Sequence, residues 1–201
     1  MQITKNNLIF SQLKQRTTTS RIIIHHSASS DVSAAEIHRW HKNQGFSGIG
    51  YHYLIRKNGK IEEGRPLDSL GAHAGNGGNP DSVGICLTGN FQEYSPEPIQ
   101  IDALVKLIQY LNDHYKKNLQ IIGHKDINPT ACPGQHFPWP QLQEKLTIPD
   151  WQQKLIKAAL EKGLITEWHN PQEVAPKCFV IAVSLNILKK LGGMESENQS
   201  T

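Results

Sequence analysis

The chain is poor in cysteine, in long apolar runs and in clustered charge, and each shortage excludes a class of protein. Its 201 residues include three cysteines, Cys86, Cys132 and Cys178. An odd number at wide spacing does not make a disulfide framework, and a reducing site of synthesis suits it better. No apolar run approaches the roughly 20 residues of a membrane helix, so no membrane insertion is expected. The opening Met1-Gln2-Ile3-Thr4-Lys5-Asn6-Asn7 lacks the apolar core of a signal peptide, so the protein is expected to be made in the cytoplasm without one. A formal net charge of +3 is mildly basic, but the Lys and Arg residues are scattered and form no stripe. That excludes a nucleic-acid partner.

What is present suits one domain of ordinary size with a small appendage, since 37% of the residues are hydrophobic. Residues 1–20 read as a packed N-terminal arm carrying Ile3, Leu8, Ile9, Phe10 and Leu13. The continuous apolar run of residues 21–26 predicts a central strand buried on both faces. Ser33-Ala34-Ala35-Glu36 is a capping-box pattern, opening a helix through Gln44 with Ile37 and Trp40 inward. Residues 51–55 and 60–62 read as strands joined by a hairpin turn at Asn58-Gly59. Residues 71–80 read as a long loop too polar to be buried, and Val83–Thr88 as a core strand. The spacing of Ile101, Leu104, Val105, Ile108 and Leu111 predicts a helix from about Glu97 to Lys116. A strand at 119–122 and a short helix from Trp139 to Leu146 follow.

This alternation predicts an α/β domain over residues 1–148, with a central mixed sheet flanked by helices. Residues 149–201 read as a separate small segment of two helices, the first capped by Asp150 and stopped by Gly163. The second follows Pro171, with Val174, Phe179, Ala182, Val183, Ile187 and Leu191 as its stripe. Two helices rarely hold a core alone. The segment is therefore expected to dock on the main domain or to pair with another copy, in self-association through residues 150–191.

The chemistry concentrates in Gly123-His124 and Cys132-Pro133-Gly134, an apolar strand that ends in histidine and a Pro-rich loop that returns a cysteine. An imidazole and a thiol on one connection make a natural pair of zinc ligands. A third donor is expected at the end of Arg21-Ile22-Ile23-Ile24-His25-His26. Successive strand side chains point to opposite faces, so only one of His25 and His26 can join the pair.

Six separated motifs stand in order: Ile22–Ser27, Gly50-Tyr51-His52-Tyr53, Glu63-Gly64-Arg65-Pro66, His73-Ala74-Gly75, Ser82-Val83-Gly84-Ile85, and Gly123-His124 with Cys132-Pro133-Gly134. Together they resemble the zinc-dependent N-acetylmuramoyl-L-alanine amidases, the family of phage amidase endolysins and animal peptidoglycan-recognition proteins. The likeness covers roughly residues 20–140. It implies one Zn2+ per chain on His25, His124 and Cys132, with the open fourth position of a catalytic site. It implies catalytic roles for Tyr51 and Thr130, the latter standing where phage members carry lysine. It also places His73 on the substrate groove. Cys86 stands where related amidases carry a glutamate base, which shifts weight onto Tyr51. The activity so implied is hydrolysis of the amide between N-acetylmuramic acid and L-alanine in bacterial peptidoglycan, by an endolysin acting on the wall after release. A non-catalytic peptidoglycan-binding module would normally have lost a ligand. A cytosolic muropeptide-recycling amidase would carry aspartate where Cys132 stands.

Overall fold

The computed structural model describes residues 1–147, 150–166, 180–181, 183–185 and 187–188. The chain divides into two compact units, Met1–Leu142 and Gln143–Thr201. The first is built on a six-stranded sheet: β1 (Ile3–Thr4), β2 (Arg21–His26), β3 (Tyr53–Ile55), β4 (Ile61–Glu63), β5 (Ser82–Leu87) and β6 (Gln120–Gly123). The strands lie in the order β1-β4-β3-β5-β2-β6. The β3–β4 hairpin is antiparallel and the other pairs are parallel, so the sheet is mixed.

β2 forms as its β-branched run requires. Ile22, Ile23 and Ile24 are fully buried between β5 and β6. Helix α1 (Ala34–Asn43) starts at Ser33, whose side chain accepts from the Glu36 N–H while Glu36 reaches back to the Ser33 N–H. Its face packs Ala34 and Ile37 with Val32, Ile49, Leu54 and Cys86, and Leu8, Phe10, Trp40 and Tyr51 close over them. A short helix, α2 (Gly75–Gly78), is followed by α3 (Pro98–Tyr115), which buries Ile101, Leu104, Val105, Ile108 and Leu111 as its spacing predicts. Helix α4 is Trp139–Thr147.

Two details differ from expectation, and a third is one the sequence gives no sign of. The N-terminal arm adds a two-residue strand, β1, to the sheet edge, and Ile9 is exposed while Leu8 and Phe10 pack inward. The loop at 71–80 does not stay in solvent: His73, Ala74 and Gly78 are buried. Its polarity is satisfied internally, because the Asn79 Oδ1 accepts from the His73 and Ala74 N–H groups at 2.9 and 2.8 Å. Arg16 is the third case, a buried guanidinium that donates to the carbonyls of Leu67, Ser69 and Ser82 and to the Tyr115 hydroxyl. A buried charge with its donors filled in this way ties the arm to the 67–69 loop and to the start of β5.

In the second unit, α5 runs Asp150–Glu161. Residues 180–181, 183–185 and 187–188 are helical. The rest of the expected second helix, with Val174, Phe179, Ala182 and Leu191, lies outside the described residues, as does Cys178. Among the described residues no helix is long and apolar enough to cross a membrane.

Ile23 has no exposed surface. Ile23→Ala is expected to lower unfolding free energy by about 2–5 kcal/mol, as truncation of a fully packed branched side chain does. Urea titration checks this; a loss under about 1 kcal/mol would contradict the packing described.

Candidate active site

β2 and β6 run parallel in a register that sets Ile24 opposite Gly123. Each strand therefore delivers its next residue, His25 and His124, to the same edge of the sheet. Their rings lie 4.6 Å apart, centroid to centroid. After His124 the chain makes one tight turn, His124–Asp126, held by the Asp126 carboxylate on the Gly123 N–H at 2.7 Å. It then returns so that the Lys125 N–H donates to the Cys132 carbonyl at 2.8 Å. This brings the Cys132 Sγ to 3.7 Å from the His25 Nδ1. Gly134 lets the loop pass: a Cβ there would meet the Phe91 carbonyl carbon at 2.3 Å.

Donor atoms of His25, His124 and Cys132 all lie within 4.8 Å of one another. His26 points elsewhere: its Nδ1 accepts from the Phe91 N–H at 2.9 Å, while its own N–H lies 3.4 Å from the Cys132 Sγ. The alternation of β2 thus separates the two histidines. Two imidazoles and a thiol at this spacing fit a zinc ion by donor chemistry.

Tyr51 stands over this group, its ring 5.0 Å from that of His25. Its ring packs on the cluster that contains Cys86, whose thiol lies 3.7 Å from the Leu87 carbonyl oxygen. Tyr53, two residues on, is a core residue of β3. His73 is buried against the back of His25, Nδ1 to Nε2 at 3.0 Å. Thr130 is exposed on the returning loop, its Oγ1 accepting from the Cys132 N–H at 3.3 Å. The structure thus brings His25, His124, Cys132, Tyr51 and His73 together, and ties Thr130 to the cysteine loop.

Two partners escaped the sequence reading. The Asn128 Nδ2 lies 2.9 Å from the His124 Nε2 and donates to the Ala74 carbonyl at 3.1 Å, linking the histidine to the buried 71–80 loop. Its signal was its position four residues after His124 in a tight turn. His41 accepts from the Gly50 N–H at 3.0 Å and sets its ring 5.6 Å from that of Tyr51. Helical spacing alone carries no sign of that contact.

Burial sets the electrostatics. It pushes the His25 pKa well below the ordinary histidine value, with nearby His124 and His26 adding to the effect. It does the same to His73, with His25 and His52 beside it, and lowers His124 less strongly. The Cys132 thiol is raised by burial to about 11, against a smaller lowering by the His26 N–H. Tyr51 is pushed well above 10 by burial, and further by Cys86 and Cys132. Without a cation the site is a neutral cluster of imidazoles, thiol and phenol. A bound divalent ion would reverse this for the thiol, since it stabilises thiolate directly.

Buried imidazoles, a thiol and a phenol gathered at an open strand edge are the equipment of a hydrolytic centre. The chain belongs to the N-acetylmuramoyl-L-alanine amidases, and it is an enzyme of that class: the family's sequence model matches residues 15–135. The endolysin of Klebsiella phage KP32 is 40% identical over 130 residues, which is 61% of this chain and 85% of that protein. The endolysin of Escherichia phage T7 is 36% identical over the same shares. Among solved structures, the N-acetylmuramoyl-L-alanine amidase LysC from Clostridium intestinale URNW superposes with a TM-score of 0.70 at 35% identity, over 74% of this chain and 99% of that one. Drosophila peptidoglycan recognition protein SD gives 0.64 at 28% identity, over 71% and 94%. Peptidoglycan is accordingly the class of substrate or ligand the chain handles.

The buried histidines also fix a pH dependence. His25 and His73 lie well below the ordinary value when folded, and His52 is lowered to about 3, mostly by burial. In the unfolded chain each titrates near 6.5. Above that pH both states are neutral; below it the unfolded chain takes up protons that the folded one refuses, so stability falls with pH. The metal-free protein is expected to lose melting temperature from pH 7 to pH 5 in calorimetry. A flat or rising melting temperature would contradict neutral burial of these rings.

Proposed function

We propose that the protein is a zinc-dependent endolysin that cleaves the amide between the lactyl group of N-acetylmuramic acid and L-alanine in bacterial peptidoglycan. On this reading it is made in the cytoplasm and acts on the wall after release. The observation that carries it is the convergence of His25, His124 and Cys132 on one point at the open end of β2 and β6. The endolysin relatives support the biological setting.

One zinc ion would be held by those three side chains, and when bound it supplies Lewis acidity for polarising the scissile carbonyl and acidifying water. Tyr51 acts as a donor rather than a base, because burial keeps its phenol protonated. Beside the metal group it orients the nucleophile or donates to the developing oxyanion, where a fixed donor is most effective. Thr130 serves as a second donor: the bond from the Cys132 N–H uses its oxygen as acceptor and leaves the hydroxyl hydrogen for substrate. His73, which the resemblance sets on the substrate groove, is instead buried behind His25 and acts on a bound substrate only through that ring. Residues 149–201 form a module for wall attachment or for self-association through residues 150–191.

Cys132→Ala is expected to abolish both zinc content and release of stem peptide, measured by elemental analysis and chromatography. Full activity in that variant would contradict the ligand set. Tyr51→Phe should keep its zinc yet lower kcat by about 100-fold or more, as loss of an oxyanion donor does. An unchanged kcat would make Tyr51 a packing residue over the α1 cluster. Deleting residues 149–201 should reduce co-sedimentation with purified sacculi or shift the mass seen by analytical ultracentrifugation. If both stay as in the full chain, the module assignment fails.

A further inference from the structure

Behind His25 lies a line of polar groups that the catalytic chemistry does not use. The Ser82 Oγ is 2.6 Å from the Gly78 carbonyl oxygen and 3.5 Å from the His73 Nε2. The His73 Nδ1 is in turn 3.0 Å from the His25 Nε2. Ser82 has no exposed surface and His73 only 9%. The His73 ring is clamped between two glycines: a Cβ on Gly84 would come within 2.5 Å of its Cδ2, and one on Gly71 within 2.6 Å. Only residues without side chains at those positions leave room for it there.

The direction of each bond follows from what each atom can do. A carbonyl only accepts, so the single hydroxyl hydrogen of Ser82 goes to Gly78. The Ser82 oxygen can then only accept from His73, which places a proton on the His73 Nε2. In a neutral imidazole the other nitrogen is bare, so the His73 Nδ1 accepts from a proton on the His25 Nε2. That leaves the His25 Nδ1 bare, and it is the nitrogen 3.7 Å from the Cys132 Sγ. Starting from the other end gives the same answer: a His25 that offers its Nδ1 to a metal must carry its proton on Nε2 and needs an acceptor there.

We propose that Ser82 and His73 form a relay from the Gly78 carbonyl to His25 that fixes which ring nitrogen of His25 faces the metal group. The relay rests on the reading of His25 as a zinc ligand and deepens it. Ser82 and His73 are positioning residues, acting through His25. Outer partners of this kind hold a ligand's ring orientation and tautomer, and their loss typically costs about 10–100-fold in metal affinity.

The test uses the full chain labelled with 15N-histidine and freed of metal. Two-bond nitrogen–proton spectra are expected to show His25 and His73 neutral, each with its proton on Nε2; a proton on the His25 Nδ1 overturns the relay. Chelator-competition titration should then show zinc binding weakened about 10–100-fold in Ser82→Ala and His73→Phe. His73→Asn, whose Oδ1 stands near the place of the ring Nδ1, should retain most of the affinity. Equal losses in the Asn and Phe variants, or no loss in any of the three, would reduce His73 to packing. A wild-type chain that takes up no zinc in the same titration contradicts the zinc reading itself. Zinc uptake with the wrong tautomer contradicts the relay alone.

Discussion

The parallel pairing of β2 with β6 is the constraint on which the site depends. With Ile24 opposite Gly123, the two strands end together and hand His25 and His124 to one edge. A shift of one residue in β2 would turn His25 to the far side of the sheet and bring His26 forward. That register is held by three isoleucines without exposed surface, packed between two neighbouring strands. The precision of the ligand group is thus inherited from the hydrophobic core rather than from the loops. The loops add only the third donor, Cys132, through a return secured at the Lys125 N–H and at Gly134.

The same burial that fixes the geometry sets the chemistry. Neutral imidazoles, a high-pKa thiol and a protonated phenol are the forms that burial favours for these groups. A cation therefore finds bare nitrogen donors without having to displace protons from the histidines, and takes one proton only from Cys132. Tyr51 is driven the other way. Its phenol becomes a poorer base and a steadier donor, which matches a task at a developing oxyanion more than one at the nucleophile's proton. Cys86, in β5, is a buried thiol raised well above its ordinary range, so it offers Tyr51 no ready base.

Much of this was legible in the sequence, for identifiable reasons. The apolar run of β2, the capping box of α1 and the periodicity of α3 are strong local signals, and all three elements form where those signals place them. The resemblance to the amidases chose His25 over His26, which strand alternation alone left open. What escaped were features whose cause is tertiary. β1 is two residues long and exists only by pairing with β4. The 71–80 segment reads as exposed from its composition, yet its polarity is consumed within itself, at Asn79, so a polar composition coexists with burial. Arg16 looks like a surface charge until the carbonyls that receive it are assembled from residues some 50 or more positions away.

If His25, His124 and Cys132 hold a catalytic zinc ion, cleavage of peptidoglycan must depend on that metal. The purified protein, with and without a chelator, is incubated with a defined muropeptide and the products are read by mass spectrometry. A zinc centre on those side chains predicts release of a stem peptide beginning at L-alanine, lost on chelation and restored by zinc. Release that persists in protein stripped of metal would contradict it, as would zinc-loaded protein that binds the muropeptide and leaves it whole.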